Sequence, residues 1–320
     1  MSLEASGFKR AAFAESTKHC YQSHLRSYMR FCLFYSRVPV PVDILTLKAY
    51  AAFLARSIKP SSMGGYFNII RLLHLERGYP NPLENNWELN MVRRGIARQL
   101  GVPPAQKLPI TLEILQKMYD LVDLSLSHNK AFWAACLVVF FGLLRKSSLL
   151  PKSALVDFSQ TLLRSDVIMM CQDSCIIQVR KSKTIQFGQR VLELPFSTCS
   201  NVALCPVITL LDHLTCSKLK PNMPLFSYVL EGSVYHITHT SFVEKLRGYL
   251  LRLGYPAKDY SGHSLRRGGC SLCYSAGMST IDIKLRGDWK SLAFERYIFV
   301  SKEKKNSSAK LLSERASVLS

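Results

Sequence analysis

The sequence has no apolar run long enough to cross a bilayer. The longest, Ala131 to Leu144, falls short of the roughly 20 residues such a span needs and ends in Arg145, so it is expected to be a buried helix and a membrane is set aside as partner. Residues Met1 to Arg10 lack the apolar stretch of a secretory leader, and the ten cysteines show no framework of pairs. Both features point to a reducing compartment and free thiols rather than disulfides. Internal repeats and low-complexity segments are lacking as well. Acidic residues are scarce: 22 Asp and Glu stand against 42 Lys and Arg, a net charge of +20. That surplus makes nucleic acid the first partner to consider, with an attraction that falls as salt rises. It is also shared, since residues 1–106 hold 14 basic and 6 acidic side chains and residues 107–320 hold 28 and 16. A single basic tail is therefore excluded, and both halves are expected to touch the same polymer.

What is present is a globular composition, 48% hydrophobic and 20% charged, in a chain of 320 residues that suits two domains. In the first hundred residues Tyr21, Leu25, Tyr28, Met29 and Cys32 recur at helical spacing, with Arg26 and Arg30 off the apolar stripe. Further helices are expected over Asp43–Arg56, with Asp43 as cap, over Ser61–Glu76 and over Glu88–Leu100. Gly78, Pro80 and Pro82 break the chain between the last two. Residues 101–109 contain three prolines and a glycine and read as a linker. Beyond it, Thr111 can cap a helix through about Leu124, and the apolar helix follows. Val167–Met170, Cys175–Arg180 and Arg190–Leu194 read as strands, and helices resume at Asn201–Thr215 and Ser241–Leu253. The fold class expected is mainly α with a small antiparallel sheet, an α+β protein.

Residue types suited to phosphodiester chemistry concentrate near the C-terminal end. Exchange at phosphorus requires cationic donors on the non-bridging oxygens, a nucleophile in line and an acid for the departing oxygen. In Gly262-His263-Ser264-Leu265-Arg266-Arg267-Gly268-Gly269, His263 and Arg266 stand three apart and share a face at a helix start. Downstream lie Gly287-Asp288-Trp289-Lys290-Ser291 and Phe294-Glu295-Arg296-Tyr297-Ile298. Gly287 and Asp288 suit a turn and a helix cap. The eight residues from Trp289 to Tyr297 amount to about two helical turns, which would bring both rings to one site. Cys270-Ser271-Leu272-Cys273 has zinc-like spacing but no second pair, and His236-Ile237-Thr238-His239 lacks an acidic partner. No metal, cofactor or small-molecule substrate is expected. Each residue taken singly has an ordinary reading: Tyr297 is one of 14 tyrosines and on its own would be a packing residue, and Arg145 would be the ion-paired end of a buried helix.

Taken together, these motifs resemble the tyrosine recombinase (phage integrase) family, whose catalytic domain carries His-x-x-Arg, then His or Trp, then Tyr. The wording is most like recombinases of crypton-like and DIRS-like eukaryotic mobile elements. Phe141-Gly142-Leu143-Leu144-Arg145 resembles the family's first arginine motif, and Arg180-Lys181-Ser182-Lys183-Thr184 its hairpin lysine, with Lys183 the better match and Lys181 the competitor. Two positions depart from the pattern: Ser148 stands where many bacterial members have an acidic residue, and the Trp-to-Tyr step is one shorter than the common nine.

The resemblance implies a helical core-binding domain of SAM-like type over 1–100, the linker 101–109, and a catalytic domain over 110–320 ending in a helix that docks on a second protomer. It implies Tyr297 as nucleophile, Arg145 and Arg266 on the phosphate, Lys183 as acid, and His263 and Trp289 in support. Arg26, Arg30, Arg93, Arg94, Arg98, Lys181 and Arg267 are expected on the duplex. The expected activity is site-specific recombination or integration through a 3′-phosphotyrosyl link, by a dimer or tetramer on double-stranded DNA in the nucleus. A catalytically silent DNA-binding derivative and a type IB topoisomerase are the alternatives.

Overall fold

The computed structural model describes residues 2–103, 106–300, 305–307, 309–310 and 313–314. The chain forms two compact units, Met1–Ala105 and Gln106–Ser320. It is mainly helical with small antiparallel sheets, the class expected from the sequence. No helix among the described residues is long and apolar enough to cross a membrane.

The first unit consists of α1 (Ser2–Ala11), α2 (Glu15–Phe34), α3 (Ile44–Ala55), α4 (Met63–Glu76) and α5 (Trp87–Leu100). The heptad-like stripe of α2 buries Tyr28, Phe31 and Cys32 against Tyr50, Leu54, Phe67 and Ile70 of α3 and α4, and leaves Arg26 and Arg30 in water. Asp43 caps α3 by accepting from the Thr46 N–H at 2.7 Å, and Asn86 caps α5 through the Leu89 N–H at 3.0 Å.

The second unit is built around one helix. Its first element, α6 (Leu112–Tyr119), is capped by Thr111 and stops before the expected Leu124. The chain turns there because the Asp123 carboxylate takes both the N–H and the hydroxyl of Ser125. Next comes α7 (Ser127–Phe141), in which every residue from Ala131 to Phe140 is buried. A helix without a polar face must be covered on all sides, and the remaining elements do this. The sheet β1 (Val167–Cys171), β2 (Ser174–Val179), β3 (Leu192–Ser197) is antiparallel in that order. Cys175, Ile177 and Val179 of β2 and Leu192, Leu194 and Phe196 of β3 point inward, the alternation a half-buried strand requires. The third strand starts two residues later than expected, at Leu192 rather than Arg190. Arg190 is instead drawn into an ion pair with Asp288.

Helix α8 (Pro206–Ser217) begins after a 3-10 turn at Val202–Leu204 rather than at Asn201, with Pro206 in its first turn where no N–H is missed. A second hairpin, β4 (Ser227–Leu230) with β5 (Ser233–His236), was not expected. Its turn residues Glu231 and Gly232 have φ of 48° and 77°, the left-handed pair that a two-residue hairpin requires. The chain continues through α9 (His239–Arg252), α10 (Gly262–Ser275), α11 (Thr280–Arg286) and a 3-10 helix at Leu292–Tyr297. The C-terminal helix expected over 301–320, with Lys304, Leu311 and Leu312, lies outside the described residues apart from short pieces that include Lys305.

The glycine pair after Arg267 decides how α10 meets α7. A Cβ on Gly268 would lie 1.7 Å from the Ile110 carbonyl oxygen, and one on Gly269 would lie 2.0 Å from the Phe140 carbonyl oxygen. Main chain therefore rests on main chain at this crossing, with no side chain free to yield. Gly269→Ala is expected to lower unfolding stability by about 3 kcal/mol, the upper part of the overpacking range. Urea denaturation measures it, and a midpoint equal to that of wild type would contradict the contact.

Candidate active site

The bend that ends α7 serves two arginines. Leu143 takes a left-handed φ of 49°, and Arg145 leaves the turn with extended backbone before a 3-10 turn at Lys146–Ser148. The Leu143 carbonyl freed by this bend accepts from Nη1 of Arg266 on α10. Nη2 of Arg266 donates to the Gly287 carbonyl at 2.7 Å, and only 1% of the residue is exposed. Its guanidinium carbon sits 3.8 Å from the Trp289 ring centroid and 5.2 Å from that of Tyr297. Burial first, and then the charge of Arg145, push the Arg266 pKa well down, with Tyr297, Cys270 and Asp288 opposing. A guanidinium keeps its proton at neutral pH regardless, so Arg266 stands here as a buried cation. Arg145 itself makes no side-chain hydrogen bond or ion pair among the described residues. Ser148 is buried and donates its N–H to the Arg145 carbonyl at 2.9 Å.

Tyr297 is placed by a small core of its own. Leu143, Cys270, Ile283, Trp289 and Phe294 form a buried cluster, and Tyr297 packs on its edge, half-buried. Ser271 of α10 donates from its hydroxyl to the Tyr297 carbonyl at 3.3 Å and accepts from the Phe299 N–H at 2.8 Å, which pins the backbone on both sides of Ile298. The Trp289 and Tyr297 rings meet edge to face at 5.3 Å, and the His263 ring lies 6.4 Å from that of Tyr297. The two rings do share a site, but not through two α-helical turns. Trp289 follows α11 in a turn, Ser291 accepts from the Ala293 N–H as cap, and the tyrosine closes a 3-10 helix. Gly287 makes the turn possible: a Cβ there would fall 1.6 Å from the Trp289 ring, which folds back over it.

His263 is exposed at the start of α10. The protein atoms around its imidazole, and after them the cations Arg266, Arg145, Lys146 and Lys183, hold its pKa below the ordinary 6.5. Lys146 joins the sequence-derived set. Its stem lies against Gly262, where a Cβ would come 2.7 Å from its Cδ, and its ammonium donates to the His239 carbonyl at 3.3 Å. Burial and then Arg247 lower its pKa. Its place next to Arg145 in the chain was the one signal that could have marked it.

The lysine candidates sit on the loop joining β2 to β3. Ser182 and Ile185 exchange N–H···O bonds of 3.2 Å, so Lys183 and Thr184 form the tip of a two-residue turn, with Lys183 exposed and Ile185 buried. Lys181 is half-buried and donates to the Gln186 carbonyl at 3.4 Å. Asp288, expected only to turn and cap, instead holds this loop: its carboxylate accepts from the hydroxyls of Ser182 and Thr184 and pairs with Arg190.

The other basic candidates divide. Arg26, Arg30, Arg94 and Arg98 are exposed, and none has an ion pair among the described residues. Arg93 is half-buried, its guanidinium 5.2 Å from the Phe67 ring. Arg267 donates to the Lys107 carbonyl at 2.7 Å and lies over Phe299, so its contacts hold the protein together and none joins it to the Arg145 and Arg266 group. All ten cysteines are free thiols, and among the described residues no group of three or more His, Cys, Asp or Glu could hold a metal ion.

No protein-family model matches the sequence, and no curated protein matches it significantly. Solved structures do. The Tn1549 transposon integrase in complex with a circular-intermediate DNA is similar over 96% of this chain and 98% of its own, at 14% identity and a TM-score of 0.55. The same integrase with transposon right-end DNA gives 13% identity, 98% of both chains and a TM-score of 0.56. XerH site-specific recombinase bound to its difH substrate before cleavage is similar over 91% of this chain and 78% of its own, at 12% identity and a TM-score of 0.58. The chain thus has the fold of the tyrosine recombinases.

Proposed function

We propose that this chain is a site-specific recombinase or integrase that cuts and rejoins double-stranded DNA through a 3′-phosphotyrosyl intermediate. One observation carries the reading: Arg266, Trp289 and His263 each lie within 6.4 Å of the Tyr297 ring, guanidinium to ring or ring to ring, and Arg145 has no side-chain partner among the described residues. Nε of Arg266 and Nε1 of Trp289 are buried there without a hydrogen-bond partner. Buried donors without acceptors are costly, and a phosphate oxygen between the two arginines would meet that need.

In the proposed reaction Arg145 and Arg266 hold the non-bridging oxygens and absorb the charge that grows at phosphorus. The Tyr297 oxygen bonds to phosphorus, its proton passing toward His263, while the bond from phosphorus to the 5′-oxygen breaks and Lys183 protonates that oxygen. Trp289 packs against the site and donates its indole N–H. One ester replaces another, so the energy of the broken linkage is kept and rejoining is the reverse attack by a 5′-hydroxyl. The solved relatives bound to DNA support a duplex as partner, and the surplus of 20 positive charges agrees. Exposed Arg26, Arg30, Arg94 and Arg98 are then phosphate contacts. The motif wording supports a crypton-like or DIRS-like mobile element, a nuclear site of action and a dimer or tetramer on paired sites.

The test is covalent trapping on a mixed library of duplexes nicked near the scissile position, where loss of the short product blocks religation. Adduct formation with strand exchange between two duplexes supports recombination. Relaxation of supercoils by a monomer without exchange would favour a type IB topoisomerase, and binding without adduct a silent DNA-binding protein. The trapping rate is expected to fall at low pH with a midpoint below 6.5, since His263 must be neutral to take a proton and its pKa is lowered. A rate that stays flat down to pH 5 would remove His263 from this role.

A further inference from the structure

We infer that Asp288 is the positioning residue that sets the Lys183 turn against the Trp289–Tyr297 site, an inference that rests on the recombinase reading above. The residues on either side of Lys183 are the two whose hydroxyls bond to one carboxylate oxygen of Asp288, Ser182 at 3.1 Å and Thr184 more closely. The other oxygen pairs with Arg190, where the loop returns to the sheet. One side chain thus grips the loop at three points, two of them flanking the proposed acid, and its backbone neighbour is Trp289.

Asp288 is also placed for this and little else. It is 8% exposed, and its φ of 53° lies in the left-handed region, which glycine fills at least cost. The carboxylate buried there is held by its three bonds. Packing alone does not replace them. Beside Asp288 a groove of about 610 Å³ opens, lined by Arg190, Leu192, Leu194, Lys284 and Trp289; Ile185 is a buried apolar anchor of the loop, and the ion pair of Arg180 with Asp166 holds its β2 end. The backbone neighbour of Asp288 on the other side, Gly287, accepts from Nη2 of Arg266 at 2.7 Å. Residues 287 and 288 therefore tie together the element that carries the acid and the helix that carries Arg266.

If Asp288 acts by placing Lys183, its loss must be felt at the step in which the 5′-oxygen receives a proton. A duplex with sulfur in place of that bridging oxygen removes the requirement, because a thiolate leaves unprotonated; thiols ionise near pH 8.5, far below alcohols. Asp288→Gly suits the positive φ and deletes the carboxylate; Ser182→Ala with Thr184→Val keeps Asp288 and removes the two hydroxyl bonds.

On the oxygen duplex that wild type selects from the mixed library, Lys183→Ala is expected to trap about 10² to 10⁴ times more slowly. Both loop variants should lose at least about tenfold, less than the full general-acid contribution because Lys183 itself remains. On the sulfur duplex all three should return to within about threefold of wild type, as expected when the proton is no longer needed. Equal losses on both duplexes would overturn the inference, since a merely structural defect ignores the leaving group. Hydrogen exchange without DNA adds a reading independent of activity: Asp288→Gly should speed exchange of amides over 181–190 and leave α7 unchanged, and an unaltered loop would also overturn it. Absence of any adduct with wild type on either duplex would fail the recombinase reading itself.

Discussion

Tyr297→Phe leaves no covalent protein–DNA adduct on a nicked duplex, while duplex affinity stays close to that of wild type, since the ring and its packing contacts remain. The substitution removes one oxygen and keeps the ring. The edge-to-face contact with Trp289 and the approach of the Arg266 guanidinium both use ring atoms. The Ser271 hydroxyl bonds to the main-chain carbonyl, which is unaffected. Fold and binding surface are therefore preserved, and what disappears is the nucleophile. Trapping by the mutant through another tyrosine would overturn the assignment of Tyr297, and wild-type trapping with normal loss in the mutant would support it.

Arg266→Lys is expected to slow trapping by about 10² to 10³, the cost of removing one donor from a charge-stabilising site. The charge is conserved, but the geometry is not. Arg266 already spends Nη1 on the Leu143 carbonyl and Nη2 on the Gly287 carbonyl, and still has the buried Nε to offer. A single ammonium cannot satisfy two fixed carbonyls and a phosphate oxygen at once, and it cannot lie flat on the Trp289 ring. The loss should appear in the single-turnover rate at saturating protein rather than in affinity alone. A rate within threefold of wild type would mean that the guanidinium supports the fold and not the phosphate.

Much of this architecture can be read without coordinates because its signals are local. Asp43 and Thr111 each cap a helix through the N–H three residues on, and α7 declares its burial by having no polar face. The order of Arg145, Lys183, His263, Arg266, Trp289 and Tyr297 is likewise legible, since a resemblance in residue order needs no distances. What could not be read depends on partners far apart in the chain. Asp288 looks like a turn residue until Ser182 and Thr184, more than a hundred positions earlier, are found on its carboxylate. Arg267 and Arg266 are adjacent with the same charge, yet about 100° around a helix separates their environments: one faces the Lys107 carbonyl, the other the Gly287 carbonyl. The β4–β5 hairpin escaped notice because four-residue strands give too short an alternation to stand out. The 3-10 helix at Tyr297 escaped because Ser291 restarts the chain after a left-handed residue, and spacing alone assumed a continuous helix.

The glycine seam between α10 and α7 has an evolutionary side. Where side chains separate two helices, their distance drifts as those side chains are exchanged for larger or smaller ones. Here the carbonyls of Ile110 and Phe140 meet bare backbone at Gly268 and Gly269, so the spacing is set by peptide geometry, which does not mutate. The helix carrying Arg266 is thus set against the segments carrying Ile110 and Phe140 by backbone contact rather than by side-chain volume.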